Sequence, residues 1–267
     1  MTIPVLELQQ MCLQVAKAAG LVVAAAAGRD RLAAHTKSSA TDITTAMDLK
    51  SESLIRGMIR ARRPGDAILG EEGGNVAGDS GLTWVVDPID GTINYAYGLL
   101  DWAISVAVVK GEADPATWEI QAGCVHAPLH GSSWWAALGH GAYRDGRRLR
   151  IGPAKDPGMS LTGTGFGYLA EKRKLQSAEL AGLLHQLRDI RRGGSAAIDL
   201  CHVADGRLDV FYERGLNPWD LAAGALVVTE AGGVVLGPAG GAPSAALTVA
   251  GPETTARWLV EHVGQAV

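Results

Sequence analysis

Cysteine is scarce: Cys12, Cys124 and Cys201 stand far apart in a chain of 267 residues. An odd count at wide spacing writes neither a disulfide framework nor a Cys-x-x-Cys metal site, and a reducing compartment is the natural setting. Long apolar runs are also missing. The stretch from Leu21 to Ala27 is far shorter than the roughly 18 residues of a spanning helix, and Glu7 stands where a signal peptide would carry Lys or Arg. The expectation is a cytoplasmic protein with no membrane partner. Charge of one sign is lacking too, since 24 basic against 28 acidic side chains give −4. No global field draws nucleic acid, so an anionic ligand must be met locally. Gly and Pro, at 35 and 11 residues, stay below the low-complexity level. Disordered, collagenous and fibrous classes are thereby excluded.

What is present is a body large enough for one or two cores. Val5, Leu8, Cys12, Val15, Ala19 and Val22 fall at helical steps, and Gly28 is placed to end that helix. A second helix is predicted over 48–62, with Leu49, Ile55, Met58 and Ile59 inward. Short apolar runs follow at 67–70, 82–86, 103–109 and 123–127, the pattern of strands. Segments 134–138 and 148–151 read as a hairpin, with one ring of Trp134-Trp135 inward and one outward. Beyond Pro157 strands are predicted at 160–163, 209–212, 233–236 and 246–250. Helices are predicted at 170–189, 196–204, 221–231 and 253–263. That alternation argues a layered α/β half. With no long linker, the chain reads as a single domain whose halves meet near residues 150–158.

The informative feature is acid at the ends of elements. In Trp84-Val85-Val86-Asp87-Pro88-Ile89-Asp90-Gly91-Thr92 an apolar strand reaches an acid, turns through Pro, and delivers a second acid before Gly. Both carboxylates can converge on one point with the Ile89 carbonyl between them; a turn with solvated acids reads equally well. The strand at 67–70 runs into Glu71-Glu72-Gly73-Gly74, and by itself that suits an exposed turn. Asp220 opens a helix after Asn217-Pro218-Trp219, where an N-cap role would suffice, and Asp48 has the same ambiguity with Glu52 one turn on. Together, oxygen donors without clustered Cys or His are what Mg²⁺ selects. Five carboxylates in one cleft would stay ionised only beside cations.

These segments resemble the inositol monophosphatase family. The resemblance is carried by Glu71-Glu72, by Asp87 to Thr92, and by Trp219-Asp220 with Glu230-Ala231-Gly232-Gly233. Lys37-Ser38-Ser39 to Thr45-Ala46-Met47-Asp48 and Gly193-Gly194-Ser195-Ala196 also fit. The resemblance implies a layered αβαβα phosphatase of the inositol monophosphatase and fructose-bisphosphatase type, homodimeric, Mg²⁺-dependent and lithium-sensitive. Carried over by position, Glu71, Asp87, the Ile89 carbonyl, Asp90 and Asp220 match metal ligands. Asp48 and Thr92 match the pair that orients and deprotonates water, with Glu72 beside the metals. Gly91 and Thr92 match the phosphate donors, and Gly194, Ser195, Ala196 and Glu213 the groups that hold the alcohol, with Asp220 shared. Tyr95 and Ser195 replace the commoner Phe and Thr.

The implied reaction is in-line displacement by water on a small phosphate monoester, catalysed by positioning and charge neutralisation. Inositol 1-phosphate leads, with fructose 1,6-bisphosphate and histidinol phosphate as alternatives; a catalytically silent regulatory homologue is the rival of another class. Other signals carry less. Pro128 between His126 and His130 removes the helical geometry of a zinc pair. Gly163 to Gly167 lacks the dinucleotide fingerprint and suits a loop lining the cleft. Arg144, Arg147, Arg148 and Arg150 suit a solvated hairpin face rather than a nucleic-acid surface.

Overall fold

The computed structural model describes residues 4–27, 34–36 and 43–263. The expected helix stop at Gly28 and the Lys37-Ser38-Ser39 part of the motif lie outside the described residues. Helix α1 (Val5–Ala26) buries the stripe Leu8, Met11, Cys12, Val15, Ala16, Ala19 and Val23, one helical face slightly rotated from the expected one. At 22 residues and mean hydropathy 1.3 it is long and apolar enough to cross a bilayer. That is more than the run from Leu21 to Ala27 suggested, but the stripe is packed into the core.

Strands β1 (Ala34–Thr36) and β2 (Ile43–Thr45) form a short ladder leading into helix α2 (Ala46–Arg62). The first large sheet comprises β3 (Ala67–Gly70), β4 (Gly74–Val76), β5 (Leu82–Asp90), β6 (Ala103–Lys110), β7 (Glu119–Ala127), β8 (Ser132–Ala137), β9 (Gly141–Arg144) and β10 (Arg147–Arg148). Its spatial order is β10-β9-β8-β7-β6-β5-β3-β4, antiparallel except where β3 lies parallel to β5. Short helix α3 (Thr92–Tyr97) follows β5.

Two expectations change here. β8 pairs with 141–144 rather than 148–151, and the tight turn at Asp145-Gly146, both with positive φ, leads to the extra strand β10. β5 does not stop at Val86. It continues through Asp87-Pro88-Ile89-Asp90, its pairing with β6 slipping between Asp87 and Asp90. Pro88 cannot donate to the ladder, and the irregularity accommodates it.

The second sheet, built from β11 (Leu161–Thr164), β12 (Asp189–Arg191), β13 (Val210–Glu213), β14 (Val234–Leu236) and β15 (Thr248–Gly251), has the order β12-β11-β13-β15-β14. Helices α4 (Ala170–Leu183), α5 (Ala196–Ala204), α6 (Pro218–Glu230) and α7 (Glu253–Val263) connect it. The predicted helix over 170–189 is therefore cut short at Leu183: a 3-10 turn over Leu184–Gln186 follows, and edge strand β12 begins at Asp189.

Helices α1 and α2 cover one face of the large sheet, with Ile55, Ile59, Trp84, Val86 and Trp102 in that core. Helices α5 and α6 fill the space between the sheets around Trp134, Leu200, Phe211 and Leu226. Helix α7 and the end of α4 close the outer face of the second sheet around Leu183, Tyr212 and Leu259. The result is the expected αβαβα stack. Trp134 is buried and Trp135 half-buried on the opposite face, as alternation on a strand requires. Arg144 departs from the expected solvated row: it lies over the Trp134 ring at 5.1 Å and pairs with Asp205 at 3.0 Å.

Candidate active site

The irregular end of β5 and the start of α6 face each other across a cleft of about 350 Å³. Carboxylate oxygens of Asp87, Asp90 and Asp220 lie within 4.8 Å of one another. Glu71, Ile89, Gly91, Thr92, Gly194, Ala196 and Glu213 line the same cleft, as do Gly165, Phe166 and Gly167. The Ile89 side chain is in the core, so main chain is what this residue offers the cleft.

Each acid is anchored by hydrogen bonds to at least one oxygen. Asp220 is the third residue of α6, not its cap, and accepts the Asn217 N–H at 2.7 Å in a capping box. Asp48 is likewise the third residue of α2; its Oδ2 accepts from Thr45 N–H at 2.7 Å and Thr45 Oγ1 at 2.5 Å. Asp90 Oδ2 accepts from Ser195 Oγ at 2.5 Å and from Ala197 N–H at 2.7 Å, which ties β5 to the start of α5. Asp87 Oδ1 accepts its own turn's Ile89 N–H at 3.0 Å.

Thr92 Oγ1 lies 3.1 Å from Asp48 Oδ1 and 3.0 Å from the Ile89 carbonyl. Its single proton serves one of these acceptors at a time. Asp48 itself is buried behind the cleft wall, reached through Thr92. Gly91 and Gly194 both hold φ of 94°, and a side chain on Gly91 would strike the Asp101 and Gly194 main chains. Ser195 is buried and meets Asp90 rather than the open cleft. Glu72 is one step from the cleft, in an adjoining depression with Leu49, Glu52 and Arg56. Its charge is felt at Asp48.

Mutual repulsion is written into the titration of these groups. Burial, then the charges of Glu71, Asp90 and Asp220, pushes Asp87 well above the usual carboxylate range. Burial, then Asp90 and Glu71, pushes Asp220 up to about 8. Asp90 rises only to about 6, because burial is opposed by the hydrogen bonds from Ser195 and Ala197. Asp48 is raised by burial against the bonds from Thr45 and Thr92. Glu213 is raised well above its ordinary value by burial, then by Asp220, Asp199 and Asp90. It is not a solvated partner of Arg214, whose guanidinium pairs with Glu179 at 2.7 Å. A cluster held this way is a cation site in donor chemistry: oxygen only, anionic and preformed.

Several residues at the site escaped the sequence reading. Arg192 lines the cleft and lowers Asp90, Asp199 and Glu213. It directly precedes the glycine pair of a recognised segment, which was its one available signal. Asn94 Nδ2 bridges the carbonyls of Asp101 at 2.5 Å and Gly193 at 2.9 Å, joining the loops that carry Gly91 and Gly194. Asp199 is buried beside Gly193 and raised to about 8 by burial, Asp90 and Asp101. His126 and His130 go to separate partners, the Ser133 hydroxyl at 2.9 Å and Asp101 at 2.9 Å.

Comparison with known proteins covers nearly the whole chain. The description of the inositol monophosphatase family matches residues 5–267. An inositol-1-monophosphatase of Mycobacterium leprae is 44% identical over 222 residues, covering 79% of this chain and 75% of the relative. The Nus factor SuhB of Escherichia coli strain K12 is 40% identical over 209 residues, covering 77% and 75%. Among solved structures, Mycobacterium tuberculosis SuhB superposes with a TM-score of 0.83 at 34% identity, covering 99% of this chain and 98% of that one. The Bartonella henselae suhB protein gives 0.89 at 30%, covering 98% and 100%. Fold and whole-chain similarity agree, and the chain belongs to the inositol monophosphatase family.

Proposed function

We propose that this protein is a Mg²⁺-dependent phosphomonoesterase that hydrolyses a small polyol phosphate, inositol 1-phosphate first among the candidates. The observation that carries the reading is the meeting of Asp87 and Asp90 with Asp220, whose carboxylate oxygens lie within 4.8 Å of each other. Acids from a strand and a helix crowded that closely gain nothing for stability, and a divalent cation is the simplest reason to keep them.

Glu71, Asp87, the Ile89 carbonyl, Asp90 and Asp220 would hold the metal; when bound, it supplies Lewis-acid stabilisation of phosphoryl and leaving-group oxygens and acidifies water. The chain's own groups do the rest. The Thr92 hydroxyl, 3.1 Å from Asp48 Oδ1, orients a water and passes its proton toward Asp48. Main-chain N–H groups at Gly91 and Thr92, at the start of α3, face the phosphate. Glu213, across the cleft with Gly194 and Ala196, accepts hydrogen bonds from substrate hydroxyls. Glu72 acts indirectly, through its field on Asp48. Like the family, the enzyme is taken to be a cytoplasmic homodimer inhibited by lithium.

The test is phosphate release from inositol 1-phosphate, fructose 1,6-bisphosphate and histidinol phosphate, with Mg²⁺ and with chelator. Release that ignores the chelator would end the metal reading, and a different preferred ester would replace the substrate. A second reading has support in relatives named Nus factor SuhB, at 40% identity. A role in binding protein or nucleic acid partners could accompany catalysis here, because none of the acids named above is missing. A protein with no turnover on any ester would favour that reading alone.

A further inference from the structure

We propose that Glu52 is a positioning residue for the metal carboxylates: a buried anion on α2 that holds the Glu71-Glu72-Gly73 turn in place. The inference rests on the reading of Glu71 as a metal ligand. Glu52 stands one helical turn after Asp48 and is 2% exposed. Its Oε2 accepts the Glu72 N–H at 2.8 Å. Its Oε1 accepts the Gly73 N–H at 2.8 Å and the Arg56 Nε at 2.7 Å. Arg56 in turn donates from Nη2 to the Gly74 carbonyl at 2.5 Å. The helix thus grips both sides of the turn between β3 and β4, and Glu71, at the start of that turn, lines the cleft.

The backbone is shaped to admit this carboxylate. A Cβ on Gly70 would lie 2.5 Å from Glu52 Oε1, and one on Gly73 2.6 Å from the same atom. Only glycine fits at either position while Glu52 stays where it is. The main-chain tie from the Glu71 N–H to the Val86 carbonyl is long, at 3.3 Å. Burying a carboxylate is costly unless donors surround it, and here two amides and a guanidinium do. The reward is directional, since fixing the Glu72 and Gly73 amides fixes where the preceding residue points.

Glu52→Gln preserves size but turns one acceptor into an NH₂ donor facing an N–H, so one of the three donors loses its partner. Mg²⁺ titrated into the metal-free protein by calorimetry should bind about tenfold more weakly in this variant. The Mg²⁺ needed for half-maximal phosphate release should rise in step, with turnover at saturating Mg²⁺ little changed. Amide hydrogen exchange at Glu72 and Gly73 should speed up, which a mere loss of charge would not cause. Gly73→Ala keeps the charge and displaces the carboxylate, so it should reproduce both effects and carries the test if Glu52→Gln fails to fold. The double variant should be no worse than Glu52→Gln alone. Wild-type Mg²⁺ affinity in either folded variant overturns the inference, as does weakened affinity with unchanged exchange at the two amides. If the unmodified protein binds no Mg²⁺, the metal reading falls and takes this inference with it; if it binds and the variants match it, only the inference falls.

Discussion

Replacing Asp90 by Asn separates what the carboxylate does for catalysis from what it costs the fold. In the metal-free protein Asp90 titrates at about 6 instead of 3.8. The folded state therefore holds the proton more tightly than the unfolded chain does. The cost of ionising Asp90 is absent below pH 3.8, grows between 3.8 and about 6, and is complete above that. The rise from 3.8 to about 6 corresponds to about 3 kcal/mol. Asn is close in shape to the protonated acid, and its oxygen can still accept from Ser195 and Ala197. In chelator at pH 8, Asp90→Asn should thus be more stable than the parent by up to about 3 kcal/mol, a rise of several degrees in Tm. At pH 4 the two should nearly coincide. With saturating Mg²⁺ the order should reverse, because the parent gains binding free energy the variant lacks. Phosphate release should fall by orders of magnitude in the variant. Urea unfolding and thermal melts across that pH range, with and without Mg²⁺, make the comparison. A variant less stable than the parent in chelator at pH 8 would refute the idea that Asp90 is kept ionised against the cost of its burial for the sake of a cation.

Other perturbations follow from the same geometry. Thr92→Val removes the hydroxyl 3.1 Å from Asp48 and should lower kcat by about 10²-fold or more, with Mg²⁺ affinity by calorimetry unchanged. Gly165→Ala would set a Cβ against Glu213 Oε2 and force that carboxylate aside. KM for a polyol phosphate should rise, while hydrolysis of an aryl phosphate without ring hydroxyls should stay near the parent rate. Equal losses on both esters would remove Glu213 from substrate recognition.

The elements were legible because they follow from apolar periodicity, and helices α5 and α7 fall on their predicted residues, while the αβαβα layering was implied by the family resemblance. Helix α2 shows where that signal misleads. Leu49 was expected inside and is 52% exposed, while Asp48, Ser51 and Glu52 are buried. The inward face of this turn meets β5 and the acidic loops, not a hydrophobic layer: Ser51 Oγ donates to the Pro88 carbonyl at 3.0 Å. Hydrophobic pattern locates cores, and a helix serving a polar site buries its acids instead. The same logic hid Glu52, which has no motif beyond its spacing from Asp48. Strand β12 was missed for another reason. Three residues between arginines, two of them exposed, carry no alternation to read. At β5 the turn residues were seen, but their effect was not: Pro88 displaces the pairing without ending the strand.

How a fold tolerates this much negative charge is answered by where its helices begin. Helix α2 presents its first turn to Asp48, α5 to Asp90, and α6 to Asp220, so each acid takes backbone or cap donors at the positive end of a macrodipole. In each case one oxygen is engaged: Asp48 by Thr45, Asp90 by Ser195 and Ala197, Asp220 by Asn217. For Asp90 the other is left to the cleft, Asp220 also shares a hydrogen bond with the Asp87 carboxyl, and the other oxygen of Asp48 meets Thr92. Such anchoring orients the carboxylates without neutralising them, as the upward titration of Asp87 and Asp220 records. Full hydrogen bonding would have lowered those values and produced a quiet structural network. Partial satisfaction does the opposite, keeping a negative potential that a divalent cation relieves. On the proposed reading, stability surrendered in the metal-free state would return as cation affinity, and the carboxylates would not need to move to express it.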